Sequence, residues 1–189
     1  IGINYPKIIP FSKIKVNLPV IKKDIFGNSS KNQKIIRKFN DIPRKKDYGY
    51  FYQKYLNFQE YGMDILNDFD GNFLHCLARK KISMRAGDTD KAEVISSDKF
   101  LKLAKKISSK LKHVGNLDID FLVNKKKIYV IDLNPRFGGG YPFTHEYGYN
   151  YIEVLLDLYL NKKKKIKFKS KNKKITRFSK GISIYKSKN

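Results

Sequence analysis

The apolar positions of this chain change their period several times, and each change marks an element. Residues 1–26 carry two short β-like runs, Lys7–Pro10 and Lys15–Lys22, divided by polar turns. Pro6, Pro10 and Pro19 argue against a helix through them, because proline fixes φ and lacks an N–H. Phe26 to Lys34 is polar and reads as a loop, and Ile35 to Phe39 fits either a strand or a helical turn. A basic connector over 42–49 leads to the aromatic, β-prone Tyr50 to Leu56. Met63, Ile65 and Leu66 then approach Asp70-Gly71, a strong hairpin signal, and Phe73 to Ala78 returns as the second strand.

Helical spacing appears at Phe100, Leu103, Ala104, Ile107 and Leu111, with Ser97 as N-cap and Gly115 as the expected stop. Leu117–Val123 and Ile128–Leu133 are two β runs joined by a lysine-rich turn, a second hairpin. Asn134-Pro135-Arg136-Phe137-Gly138-Gly139-Gly140 suits no regular element. Asn150 can cap a last helix with Ile152, Leu155, Leu156 and Tyr159 as its apolar face. Two strand-like runs, Lys165–Lys169 and Ile175–Tyr185, close the chain. Hairpins with intervening helices, and no repeated βαβ unit, give an α+β class.

Composition adds limits. A chain of 189 residues buries roughly 70% of its unfolded surface, enough for one core or two small lobes. The aromatic fraction of 14% argues against disorder. No apolar run approaches the roughly 20 residues of a membrane span, so no membrane partner is expected. The single cysteine, Cys76, excludes an internal disulfide and fits a reducing, cytoplasmic setting. The chain begins at Ile1 rather than Met and is expected to be part of something longer.

The net charge of +24 first suggests nucleic acid. Its distribution weakens that idea. Residues 161–189 hold 13 Lys and Arg and no acid, and the rest of the excess is lysine spread along the chain. Charge runs are more often solvated faces than binding surfaces. A basic nucleic-acid-binding protein, with Phe168, Phe178 and Tyr185 stacking on bases, therefore stays as the alternative, and nucleic acid is disfavoured as a partner.

The second hairpin is where chemistry concentrates. A three-residue loop at Lys125–Lys127 sets Asp120 opposite Asp132, with Asn134 two residues further on the same face. Facing carboxylates repel unless a cation lies between them, and two carboxylates with a carboxamide oxygen make a hard, all-oxygen set suited to Mg²⁺. Taken alone, the pair fits equally a solvent-facing acidic patch. Arg136 adds a fixed cation on the same side, suited to a phosphate, and Gly138–Gly140 permits close backbone approach. Earlier, Lys23 stands at a strand end before Gly27, Ser29 and Ser30, a turn that can cradle phosphate oxygens. It is not a P-loop, since it lacks G-x-x-x-x-G-K-[ST].

The order of these segments resembles the ATP-grasp superfamily. The likeness runs from Lys7 to Leu160 through K-x-x-x-G-x-S-S, Gln53-Lys54-Tyr55-Leu56, Glu60-Tyr61-Gly62-Met63-Asp64, Arg85-Ala86-Gly87-Asp88, Asp120-Phe121 and I-D-L-N-P-R-F-G-G-G. It is closest in appearance to the ATP-binding lobes of carbamoyl-phosphate synthase large subunits and related carboxylate–amine ligases. The resemblance implies an ATP-grasp fold with a smaller lobe, 1–56, and a larger one, 57–189. It implies ATP with Mg²⁺, or Mn²⁺ in its place, and small-molecule carboxylate and amine substrates.

By the same resemblance Lys23 reaches the α-phosphate, and Gly27, Ser29 and Ser30 cover the β- and γ-phosphates. Gln53, Tyr55 and Leu56 fall in the hinge that reads adenine, and Glu60 on the ribose acid. Asp120, Asp132 and Asn134 fall on the metal positions, with Arg136 and Arg85 beside the transferred phosphoryl group. Departures accompany the likeness. Asp24 replaces a usual proline, Lys54 replaces the usual hinge acid, and Asp120 and Asp132 are shorter than the common Gln or Glu. The family's preceding N-terminal domain, with its adenine-side lysine, has no counterpart in these residues.

Overall fold

The computed structural model describes residues 2–27, 32–85, 88–125, 127–161, 168, 176–179 and 184–186. Two antiparallel sheets organise them. The smaller has the order β2-β1-β3, built from Val20–Asp24 (β1), Lys34–Ile36 (β2) and Tyr50–Lys54 (β3). Ile8 adds a single bridge to Gln53. Ile9, Ile14, Val20, Ile36 and Tyr52 form its core. The expected run Lys15–Lys22 is a strand only from Val20. Phe11–Lys13 and Lys15–Asn17 are 3₁₀ turns, which suit a stretch too broken by proline for an α-helix. Ile35 and Phe39 resolve into both expected forms, since β2 ends at Ile36 and a 3₁₀ turn covers Phe39–Asp41.

Residues 55–58 pass to the larger sheet, whose order is β10-β9-β6-β5-β4-β7-β8. Its members are Gln59–Asn67 (β4), Phe73–Arg85 (β5), Asp88–Ile95 (β6), Gly115–Asn124 (β7), Lys127–Asn134 (β8), Thr176–Ser179 (β9) and Ile184–Lys186 (β10). β4 and β5 join through the expected hairpin: Gly71 sits at φ +75°, and Asp68 accepts from the backbone amides of Asp70 and Asn72. The second strand runs seven residues past its expected end at Ala78, and β6 pairs with that extension. Of Arg85-Ala86-Gly87-Asp88, Arg85 ends β5 and Asp88 begins β6, and the two residues between lie outside the described residues.

Helix Asp98–Leu111 (α1) covers one face of this sheet. Phe100, Ala104 and Ile107 pack on Met63, Ile65, Ala78, Leu117, Ile119 and Phe121, alternate residues of three neighbouring strands. The helix stops three residues before Gly115, at Lys112 in the left-handed region (φ +50°). Ser97 precedes it in extended form, without a side-chain capping bond.

Two short helices, Tyr141–Glu146 (α2) and Tyr151–Tyr159 (α3), lie on the opposite face, and α2 was not expected from the sequence. Asn150 caps α3 by accepting from the Glu153 amide. The buried residue of α3 is Tyr151, whereas Ile152, Leu156 and Tyr159 of the expected apolar face are exposed. The helix is thus rotated from the expected setting, because Tyr151 inserts beside Leu66 and Tyr141.

Candidate functional site

The second hairpin decides what faces the space between the sheets. Asp120 pairs with Asp132 and Asp118 with Asn134, as a three-residue loop would give. The loop itself is shorter, because the ladder continues to Asn124↔Lys127. A bulge makes up the difference: Phe121 pairs with Val130 and Asp120 with Asp132, so Ile131 has no partner. Ile131 and Asp132, adjacent in sequence, both line the same cleft.

That cleft has a volume of about 360 Å³ and draws on both sheets. The smaller sheet contributes Lys23, with Gly27 just beyond β1, and Gln53. Tyr55 and Leu56 come from the connection. Glu60, Asp120 and Asp132 come from β4, β7 and β8 of the larger sheet. Apolar side chains lie among them: Ile21, Phe58, Leu122 and Ile131. The remaining expected residues stand elsewhere. Asn134 is tied to the cleft through Asp132, whose Oδ2 accepts from its Nδ2 at 3.0 Å. Arg136 is exposed and donates to the Phe137 carbonyl at 3.2 Å. Arg85, its side chain 82% exposed, lies at the far end of β5 beside Asp90, 3.6 Å away. Ser29 and Ser30 fall outside the described residues.

Charge in the cleft is closely matched. Lys81 of β5, invisible to the sequence reading, sets its Nζ 2.7 Å from Glu60 and 2.7 Å from Asp120. Burial opposes its charge, yet Asp120 and Glu60 more than compensate and raise its pKa. Lys23 has the opposite balance. Burial lowers its pKa, and the more distant Asp132, Glu60 and Asp120 only partly restore it.

One step deeper on the same face lies a second group. Arg79 is buried, with Nη1 2.5 Å from Asp64 and Nη2 2.8 Å from Asp118. Asp64 also accepts from Thr144 of α2 at 2.6 Å and from Asn116 at 3.1 Å. Asn116 donates in addition to the Arg136 carbonyl. Burial pushes the Asp118 carboxyl up to about 6 despite Arg79. The glycine-rich loop closes over this network. A Cβ on Gly140 would stand 2.0 Å from Arg79 Nη2, and one on Gly138 1.9 Å from Asp118 Oδ2. The close approach expected at these glycines is therefore to a buried ion group of the chain itself. β5 alone hints at this, since Arg79 and Lys81 continue the alternation of Leu77 where apolar residues would be usual.

Two observations bear on a ligand. Gln53 is 9% exposed, and its Oε1 has no hydrogen-bond partner, while its Nε2 donates weakly to the Pro6 carbonyl at 3.4 Å. An orphaned acceptor in a cleft wall is costly without a donor from outside. In the connection, the Tyr55 amide is already used by Pro19 and that of Lys54 by Lys7. The donor chemistry also fits a hard cation. Asp120, Asp132 and Asn134 offer oxygen alone, and Asn134 turns its nitrogen toward Asp132 and so keeps its oxygen available. No three His, Cys, Asp or Glu side chains among the described residues form a metal cluster by themselves. Phe168, named above as a base-stacking residue, has its ring 4.1 Å from that of His75 and stacked on it.

A small antiparallel sheet and a larger one, enclosing a cleft lined by lysine, amide and acids, define an ATP-grasp architecture. The chain belongs to that family: residues 49–180 match the family described as "ATP-grasp in the biosynthetic pathway with Ter operon". Among solved structures it is similar to the biotin carboxylase–βγ-ATP complex from Campylobacter jejuni (16% identity, TM-score 0.73, 93% of this chain and 47% of that one). It is also similar to carboxyaminoimidazole ribonucleotide synthase from Aspergillus clavatus complexed with ATP (12%, TM-score 0.69, 93% and 52%). A third is Rhizobium etli pyruvate carboxylase (18%, TM-score 0.66, 82% and 17%). The chain spans about half or less of these structures. No curated protein matches it significantly in sequence. Among the described residues no helix is long and apolar enough to cross a membrane.

Proposed function

We propose that the cleft binds ATP with Mg²⁺, and that the chain is the nucleotide-binding part of an ATP-dependent carboxylate–amine ligase. The observation that carries this reading is the convergence of Lys23 and Gln53 from one sheet with Glu60, Asp120 and Asp132 from the other on one cleft. Gln53, with its orphaned Oε1, and Leu56 would read the adenine edge, while Ile131 and Leu122 offer the base an apolar floor. Tyr55 would border the same slot. Glu60 would accept from the ribose hydroxyls, Lys23 would meet the α-phosphate, and Gly27, Ser29 and Ser30 the outer phosphates.

Asp120, Asp132 and Asn134 would hold Mg²⁺, with Mn²⁺ as a substitute. When bound, the ion neutralises charge on the β- and γ-phosphates. In the proposed reaction a substrate carboxylate oxygen attacks the γ-phosphorus, and the bond to the bridging oxygen of ADP breaks. An amine then attacks the acyl phosphate carbon and phosphate leaves, as in carbamoyl-phosphate synthase-like chemistry. Arg136, its exposed side chain bonded to the neighbouring Phe137 carbonyl, would compensate charge on the transferred phosphoryl group. Arg85 stands at the far end of β5 beside Asp90 and does not line the cleft. Its position favours a second reading, a lobe that binds nucleotide without turning it over.

The test is thermal unfolding with millimolar Mg-ATP. A ligand that binds the native state alone raises stability, so a higher Tm is expected. Asp132→Asn should abolish the metal-dependent part of the rise and keep the fold. No rise in the unaltered chain overturns both readings, and ATP turnover separates them.

A further inference from the structure

Glu60, Asp120 and Asp132 stand on β4, β7 and β8 and face one cleft, an arrangement that repels itself. What holds it together is on β5. Lys81 reaches across β4 and donates to both Glu60 and Asp120 at 2.7 Å, with only 8% of the residue exposed. An ammonium so far removed from water is kept there by its two carboxylates, and they by it. Lys23, from the smaller sheet, feels the same three acids from further away.

We propose that Lys81 is the resident counter-ion of these carboxylates and keeps a divalent cation from settling on them unless nucleotide arrives with it. The inference rests on the nucleotide reading above. A divalent ion on Asp120 would stand beside an ammonium already bonded to that residue, and like charges at such range repel strongly in a partly dry site. Without Lys81, three carboxylates would face Lys23 alone, and their excess negative charge would draw a divalent ion of the hard, oxygen-seeking class. A polyphosphate reverses the balance. It engages Lys23 and adds negative charge of its own, so metal and nucleotide enter together. Lys81 acts through Glu60 and Asp120 and is a positioning residue.

Mn²⁺ titrations followed by electron paramagnetic resonance test this directly, with and without ATP, on the full chain and its variants. The unaltered chain should leave Mn²⁺ free unless ATP is present. Lys81→Met should bind Mn²⁺ alone at least about tenfold more tightly. Adding Asp132→Asn to it should remove the gain, and Lys81→Arg, which keeps the charge, should behave as the unaltered chain. Lys81→Gln replaces Lys81→Met if circular dichroism shows the latter unfolded. Tight Mn²⁺ binding by the unaltered chain without ATP overturns the inference, as does a folded Lys81→Met or Lys81→Gln with no gain. A chain that gains Mn²⁺ affinity on losing Lys81 yet never binds Mn-ATP upholds the role of Lys81 and overturns the nucleotide reading instead.

Discussion

Arg79 meets Asp118 at 2.8 Å although β4 lies between their strands. The crossing is possible because Gly62, the β4 residue beneath it, has no side chain, and a Cβ there would touch Arg79 Nε at 3.1 Å. Lys81 makes a parallel crossing to Asp120 two residues along β5. The larger sheet is thus braced crosswise twice, once in its interior and once at the cleft.

Breaking the inner brace should be severe. Arg79→Met leaves Asp64 and Asp118 buried with no guanidinium, and losing one partner of a buried ion group typically costs about 3–5 kcal/mol. Urea unfolding measures it. A loss under about 1 kcal/mol would mean that water or neighbouring groups replace the arginine.

Gly140 should resist even the smallest side chain. Its φ of −86° suits any residue, so the whole cost of Gly140→Ala comes from collision with Arg79. A loss of about 3 kcal/mol is expected. Gly49→Ala serves as the control: its Cβ would find nothing nearer than 3.7 Å, and a change within about 0.5 kcal/mol is expected in the same assay.

Acid should act through two groups of opposite sign. Burial among aromatic rings lowers the His75 pKa from 6.5 to about 4, so the folded state holds fewer protons than the unfolded one between those values. The stability His75 contributes is complete above 6.5 and is lost as pH falls through 4, by at most about 3 kcal/mol. Asp118, raised by burial from 3.8 to about 6, contributes stability that is complete below 3.8 and lost as pH rises through 6. Between pH 4 and 6 His75→Phe should therefore flatten the rise of stability with pH, and Asp118→Asn should steepen it. Denaturation midpoints across that range decide, and equal slopes in all three chains would contradict both assignments.

Cys76 should be inert while the protein is folded. Burial pushes its thiol up to about 12, leaving almost no thiolate at neutral pH. Reaction with a colorimetric disulfide reagent should be slow in buffer and rapid in denaturant. Rapid labelling of the native chain would show that this part of β5 opens readily.

The Asp120–Asp132 pair follows from the sequence even though the loop is one residue shorter than expected. Alternation along the strands was enough to locate the acids, but a turn and a bulge that offset each other leave the same pairing and no local trace. Lys23, Gln53 and Glu60 were legible because each stands in a distinctive local string. Arg79 and Lys81 were not, since their meaning depends on which strands lie side by side. In the observed order β4 separates β5 from β7, and that order is fixed by long-range packing. The face of α3 differs from expectation for a related reason: helical spacing names several apolar stripes, and only Tyr141 and Leu66 select Tyr151.

The unpaired Ile131 gives the cleft a mixed wall that plain alternation forbids. In a regular strand an oily residue and a charged one in succession look opposite ways, whereas here they stand shoulder to shoulder. Removing Ile131 alone would straighten the strand and leave Asp132 opposite Asp120 on the cleft side, but it would take the oily neighbour out of the wall. A single codon thus separates a stretch of wall that offers an oily and a charged side chain together from one that offers the charged one alone.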